Sequence, residues 1–441
     1  MPPLSNELPY WSFDDHLMVF KDGSFGTGFE ITGFDLSCAA ITDVNRFAQQ
    51  MENLLVGCRD GTRLQVYCDL GHDVSPLISK HRGQSSTKGI IGEVAGARLR
   101  FLDEKFKRRE YFAPRLFLFL RSSPQKLKRR GVFGSKDDFQ QTSKQAYQTS
   151  KERFLRTLHQ VESELKGTGM EPRVLTRQDL FALIFSRLNP VRPARIGYPL
   201  LREGSLDTPS LCSQLCLTDL LCRPDGVQIG RTKIRVITLK ALPQDLTYAS
   251  MAKALTKLPF HVSLSQNVTI LSQAKERGRL ELKRRVANSM ALGEGNVSDL
   301  DSEAKLEQIE DLLRDLIKGE AKLVSSGLTV IVEGSSDQEL DERCDEVMAA
   351  FRRLGQAEGI VETLPAKDAF LKSLPGTCEG LRHQIMKSTN AVHLMPLFAP
   401  WRGNDRPVCL IPNREGGLFS YDPFDETLPN WNGLCFGGSG S

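Results

Sequence analysis

The chain has 441 residues, 58 Lys and Arg against 54 Asp and Glu, and a formal net charge of +4. That near-balance excludes a nucleic-acid-binding function read from bulk charge, so any such contact needs a local basic patch. Hydrophobic residues at 40% and charged residues at 25% describe a folded chain, long enough for roughly two to four domains and a core without staples.

Residues 1–11 lack a basic start and a long apolar stretch, so they do not read as a signal peptide. Residues 16–20 and 27–33 read as strands joined by the turn Lys21-Asp22-Gly23-Ser24, since Asp-Gly between apolar runs is a hairpin signal. Residues 42–56 read as a helix with Val44, Phe47, Met51, Leu54 and Leu55 on one face. Strands follow at 63–70 and 114–121. The second holds the densest apolar run, Leu116 to Leu120, far short of the about 20 residues a membrane helix needs. Any membrane association is therefore expected to go through partner proteins. The β-α-β-α-β order predicts a mixed sheet covered by helices.

Residues 121–138 are polar, with Lys126, Lys128, Arg129 and Arg130 close together, and read as a solvated loop or a contact for phosphate or an acidic surface. Helices are expected at 143–165 and 177–188. Four prolines, Pro190, Pro193, Pro199 and Pro209, make 189–208 a loop. Cys212, Cys216 and Cys222 come nearest to a cysteine cluster. They lack paired C-x-x-C spacing and no His-x-x-x-His follows, so no zinc motif is read, and the scattered thiols suit a reducing cytoplasm.

Further on, strands are expected at 227–239 and 260–270 around a helix near 248–258. Two long helical arms follow at 271–290 and 302–318. The first is basic through Lys275, Arg277, Arg279, Lys283, Arg284 and Arg285, and the second is acidic through Glu303, Glu307, Glu310, Asp311 and Asp315. The stripe Leu306, Ile309, Leu313, Leu316 and the opposed charges predict an antiparallel hairpin. A strand at 328–333, a helix at 338–354 and a strand at 360–363 complete an elaborated ferredoxin-like pattern. No repeat of fixed period is visible. The expected domains are 1–190 (α+β), 191–226 (linker), 227–375 (second α+β, ferredoxin-like, with the hairpin 271–318) and 376–441 (linker and start of a further domain).

After Leu374-Pro375-Gly376 the composition changes. Short strands are expected at 408–411, 418–421 and 432–436, the last leading into Gly437, Gly438, Ser439, Gly440 and Ser441. A strand followed by such a run opens the phosphate-binding pattern G-x-x-x-x-G-K-[ST], in which backbone N–H groups converge on phosphate oxygens. The same five residues also read as a flexible linker.

Three elements carry a resemblance: Leu374-Pro375-Gly376, Pro396 to Gly403 (PLFAPWRG), and Pro412 to Leu418 (PNREGGL) followed by Asp422-Pro423-Phe424-Asp425. Together they resemble the segment entering the P-loop of TraC-type conjugal transfer ATPases, the large ATPases of type IV secretion systems. The stretches at 229–243 and 8–35 are also similar to this family, more loosely. The resemblance implies an α+β front region followed by the first strands of a RecA-like P-loop ATPase domain. It implies ATP and Mg2+ as cofactors, bound from Gly437, Gly438, Ser439, Gly440 and Ser441 onward. The Walker lysine, Walker-B acid and arginine finger would follow Ser441, so no catalytic residue is assigned and residues 1–441 alone are expected to be inactive. The implied whole is a cytoplasmic, plasmid-borne hexamer, peripheral at the inner membrane through secretion subunits, serving pilus assembly and DNA or protein transfer. Nucleic-acid contact is an open possibility. A non-catalytic docking module, or the front of a HerA- or FtsK-like DNA pump, are the competing readings.

Other candidates read as structure. Gly23 to Gly28 is a hairpin turn, because a strand rather than a helix follows. His393 is packed or capped. Asp14, Asp15 and His16 cannot all face one metal ion from a strand. Trp401 and Arg402 are either a packed aromatic with its Arg on a surface carboxylate, or a coupling linker.

Overall fold

Residues 116–120 show how the chain uses its apolar runs. Leu116, Leu118 and Leu120 enter one core, while Phe117 and Phe119 enter a second core on the opposite face. A strand buried on both faces needs a continuous run, and its sheet needs cover on both sides. The computed structural model describes residues 3–124, 144–204, 208–243, 246–291, 300–413, 416–427 and 430–432. Within them lie 14 helices and one large antiparallel sheet of 13 strands, an α+β architecture.

The first six strands are β1 (Tyr10–Asp14), β2 (Leu17–Phe20), β3 (Phe25–Ile31), β4 (Arg63–Gly71), β5 (Ala113–Arg121) and β6 (Arg173–Val174). Helix Ile41–Gly57 joins β3 to β4, helices Ser75–Gln84 and Gly89–Lys107 join β4 to β5, and helix Lys144–Gly167 precedes β6. Their spatial order is β6-β3-β5-β4. The next six are β7 (Leu220–Arg223), β8 (Gly226–Ile229), β9 (Thr232–Ala241), β10 (Val262–Ile270), β11 (Leu323–Gly334) and β12 (Glu358–Val361). Helix Lys253–Thr256 precedes β10, arms Gln273–Ala291 and Leu300–Lys318 join β10 to β11, and helix Asp337–Arg352 precedes β12. Their order is β12-β9-β11-β10.

The two orders are the same. Each unit is a βαββαβ arrangement of the ferredoxin-like kind with a helix pair inserted between its second and third strands. Each is preceded by a hairpin, β1-β2 or β7-β8, that extends the sheet outward. Each is followed by a helix, Arg177–Leu188 or Ala366–Lys372, that covers the second face. The units join edge to edge where β4 pairs antiparallel with β10, from Arg63 opposite Thr269 to Leu70 opposite Val262. The halves therefore run in opposite directions across a pseudo-twofold seam. The inserted helix pairs leave from opposite ends of it, one after Gly71 and the other after Ile270.

The seam carries a buried ion cluster. Arg187 reaches Asp69 at 2.8 Å and Glu333 at 3.5 Å, and His261 stands between the same carboxylates at 3.0 and 3.6 Å. Arg187 also donates to Ser263 Oγ at 2.8 Å.

Several expectations need correction. The sheet is not mixed: every ladder between named strands is antiparallel. In each unit the third strand inserts between the two that the crossover helix connects, so parallel neighbours never touch. The expected strand 227–239 is the hairpin β8-β9, turned at Gly230 with φ 59°. The helix near 248–258 shrinks to Lys253–Thr256, and 189–208 contains the short helix Pro193–Ile196. The arms Gln273–Ala291 and Leu300–Lys318 do form two packed helices with Leu313 and Leu316 buried, but among the described residues no ion pair joins them. Among the described residues Glu276 pairs with Arg279 on its own helix, and Asp315 pairs with Lys387 outside the arms. The basic stretch 126–130 lies outside the described residues. Among those described, no helix is long and apolar enough to cross a membrane.

Candidate functional site: a strap across the sheet

After helix Ala366–Lys372 the chain crosses the second sheet face, and one polar side chain holds it there. Gln65, in the middle of β4, donates from Nε2 to the carbonyls of Ser373 (3.2 Å) and Leu374 (3.1 Å). Its Oε1 accepts from the Gly376 N–H at 2.8 Å. The Tyr10 hydroxyl donates to the Pro375 carbonyl at 2.8 Å. Gly376 has φ 80°, a conformation that favours glycine. The Leu-Pro-Gly element is thus a turn fitted to a polar notch in the sheet.

The next anchor is Arg121, whose side chain is only 2% exposed. Its guanidinium lies over the Phe20 ring at 3.9 Å and donates to Thr377 O (2.7 Å), Glu379 (3.0 Å), Asp22 (2.8 Å) and Ser24 Oγ (2.9 Å). Arg63 reaches the same two carboxylates at 3.4 and 3.2 Å. Burial disfavours the charged form of Asp22, but the Ser24 hydrogen bonds and the two arginines outweigh it and hold the carboxyl below the usual range. The Asp-Gly turn read from sequence therefore binds the strap as well as closing a hairpin.

Strand β13 (Gln384–Lys387) then pairs with the start of β11, and helix Ser388–His393 follows. His393 hydrogen-bonds Thr247 at 2.8 Å, a packed and capped residue as expected. Residues 397–399 bridge to Phe34, where the Phe34 N–H donates to Leu397 O at 2.9 Å. Trp401 is 54% exposed beside Phe419, and Arg402 donates to the Pro114 carbonyl at 2.8 Å rather than to a carboxylate. Strands β14 (Cys409–Pro412) and β15 (Leu418–Tyr421) form a separate two-stranded sheet. Leu410 and Leu418 sit in an apolar cluster with Val74, Ile78, Leu102 and Tyr111, so this hairpin docks on the first inserted helix pair. His81 bonds the Pro407 carbonyl at 2.7 Å, and Arg98 donates to that of Leu410.

Gly403 fixes the approach. Its φ is 89°, and a Cβ there would lie 1.8 Å from the Ser420 carbonyl oxygen, a backbone atom that cannot swing aside. Gly403→Ala is expected to add about 1–3 kcal/mol of backbone strain on top of that clash. Limited proteolysis would then cut within 400–420 faster than in the parent while the far-ultraviolet spectrum stays unchanged. Equal cutting rates would show that the hairpin does not depend on this approach.

Asp14 is taken up by Tyr147 (2.7 Å) and Lys151 (2.8 Å), and His16 by its neighbour Asp15. Among the described residues no group of His, Cys, Asp or Glu could hold a metal ion. Cys212 donates to the Tyr10 carbonyl, and Cys216 and Cys222 are free thiols. Gly437, Gly438, Ser439, Gly440 and Ser441 lie outside the described residues, as does the expected strand from 433 onward. Sequence reading missed Gln65 and Arg121. Their only signals were a polar residue at an inward position of an apolar strand and an arginine closing an apolar run.

A family model described as TraC protein matches residues 4–377, from the first helix through both units to the Leu-Pro-Gly turn. The chain belongs to the TraC family. It is also similar to the conjugal transfer protein TrbE of Rhizobium radiobacter, 25% identical over 441 residues, covering 92% of this chain and 51% of the relative. A further relative is a probable conjugal transfer protein TrbE, in its second portion, of Sinorhizobium fredii (strain NBRC 101917 / NGR234). It is 27% identical over 190 residues, covering 40% of this chain and 27% of the relative. The chain thus spans about half the length of the first of these relatives and less of the other. The TraC match ends at the strap's first anchor, and membership identifies the chain as a conjugation component of the type IV secretion kind.

Proposed function

We propose that this TraC-family chain is the front region of an ATP-dependent motor subunit of a conjugative type IV secretion system, acting in pilus assembly and in DNA or protein transfer. Family membership and the conjugal transfer names of its relatives support this reading. The observation that carries it is the strap. A segment fixed to the first unit by Gln65, Arg121 and the β14-β15 hairpin, and to the second by the ladder of β13 with β11, leads onward to Gly437–Ser441. On this reading β14 and β15 begin a RecA-like domain, and the double unit is the platform against which that domain works.

The donor set of Gly437, Gly438, Ser439, Gly440 and Ser441 fits a portion of a phosphate cradle. It offers backbone N–H groups and two hydroxyls but no cation. ATP with Mg2+ would supply the free energy, and these five residues would contact its phosphates. The inner-membrane secretion subunits and the hexameric assembly implied by the resemblance belong to the same proposal, as does a peripheral position at the inner membrane.

The test compares two proteins in an ATPase assay and a fluorescent-nucleotide titration. Residues 1–441 are expected to show no turnover, because a triphosphate meets dipoles without a compensating positive charge. The same chain continued by its native downstream residues through a motor domain is expected to bind and hydrolyse ATP, and to lose activity when the loop lysine becomes alanine. Turnover by residues 1–441 would move the chemistry to another site. A longer protein that neither binds nor hydrolyses ATP would remove the motor reading and leave a docking module.

A further inference from the structure

The two units have the same connectivity, yet their inserted helix pairs are used differently. The first pair holds β14-β15, with Leu410 and Leu418 as apolar anchors and His81 and Arg98 on the backbone carbonyls of the docked segment. The second pair carries no such hairpin among the described residues. Beside it lies an open groove of about 510 Å³, floored by Leu280, Leu312, Ile385 and Met386 and rimmed by Lys283 and by Arg279, whose partner Glu276 also lines it. Ile385 is 53% exposed. On the same helix Lys283, Arg284 and Arg285 are exposed and form no ion pair among the described residues. An apolar floor with a cationic rim takes an apolar anchor flanked by carboxylates.

The chain offers such a group at its other end. Immediately after β15, Phe424 (65% exposed) and Trp431 (61% exposed) meet edge to face with ring centres 6.0 Å apart. Trp431 Nε1 donates to the Asp425 carbonyl at 3.2 Å, which holds the pair together as a knob. Asp425 and the exposed Glu426 give the knob its negative charge. This knob adjoins the first helix pair, while the groove adjoins the second, and the two pairs leave the seam from opposite ends. A knob and a complementary groove at opposite ends of one molecule cannot meet within it. They meet between copies, and the contact is heterologous, which builds rings or filaments.

We infer that the Phe424/Trp431 knob of one copy docks in the Arg279/Lys283 groove of the next, joining copies of this chain head to tail. This contact rests on the oligomeric part of the proposed function and names the surfaces that make it; it needs no nucleotide, so its failure leaves the ATPase test untouched.

Analytical ultracentrifugation of residues 1–441 over a concentration series, at low and high salt, tests it. Wild type is expected to associate, less so at high salt. Lys283→Glu and Glu426→Lys are each expected to be monomeric, with circular dichroism and melting unchanged because both side chains are exposed. Mixed together, the two variants are expected to associate again, since each knob then meets a groove of opposite charge. The double variant, with both charges exchanged, is expected to associate again. A wild type that stays monomeric throughout overturns the inference. So do variants that associate like wild type, or a mixture of the two that does not associate.

Discussion

Arg187→Met is expected to cost about 3–5 kcal/mol of folding stability, because it leaves the buried Asp69 and the half-buried Glu333 with one cation instead of two. Urea denaturation reads this directly, and a midpoint equal to wild type would show that the seam cluster contributes nothing. The pH dependence gives an independent check. Burial disfavours the charged form of His261, but Glu333 and Asp69 outweigh it and raise the pKa above its ordinary value. A group raised in the folded state adds stability that is complete below the unfolded value, about 6.5, and is lost as pH climbs through the folded value. Asp69 behaves oppositely. Burial would raise its pKa, but Arg187 and His261 hold it well below the usual carboxylate range. Its contribution is present above about pH 3.9 and is lost as pH falls through the folded value. The cluster is therefore strongest between roughly pH 4 and 6.5. In Arg187→Met the decline above that window is expected to steepen, since His261 is then the sole cation between two carboxylates.

Gln65→Leu is expected to free the strap while leaving the sheet folded. Leucine fills a similar volume, but the Gly376 N–H and the Ser373 carbonyl lose their partner. Stranding buried polar groups costs about 1–3 kcal/mol each. The amides of 374–378 should exchange with solvent at least about thirtyfold faster, which corresponds to about 2 kcal/mol. Amides of β4 should follow the global stability, because the strand keeps both its ladders to β5 and β10. Unchanged exchange at 374–378 would mean that something other than Gln65 holds the turn.

The features legible in the sequence were those with local causes. The Asp22-Gly23 turn, the stripe of helix Ile41–Gly57 and helix Arg177–Leu188, with its Thr176/Asp179 capping box, lie where residue spacing put them. Helix Gly89–Lys107 was invisible for an equally local reason. Gly89, Gly92 and Gly96 lower its helix propensity, and Ile90, Ile91 and Val94 are exposed, so no single apolar stripe marks it. Gln65 and Arg121 were hidden by distance. Their partners at 373–379 lie more than 250 residues away, where spacing carries no signal. The repeat was hidden because connectivity constrains which positions are apolar, not which residues fill them. β4 meets the seam with Gln65 and Asp69, and β10 meets it with Ser263, Ser265 and Asn267.

The seam between β4 and β10 also bears on how the halves can change. An edge strand with unpaired N–H and C=O groups recruits another strand, and here each unit offers its edge to the other. Two separate half-chains would have to find each other by collision, and dilution would separate them. A covalent tether makes the encounter intramolecular, so its effective concentration does not fall with the protein's own. The tether also removes the obligation of symmetry. In a dimer of identical halves, any substitution on one inserted helix pair appears on both. In a single chain each position exists once, so one pair can specialise in gripping the strap while the other keeps an uncovered surface. Tandem fusion thus turns a self-complementary edge into two independently variable ends.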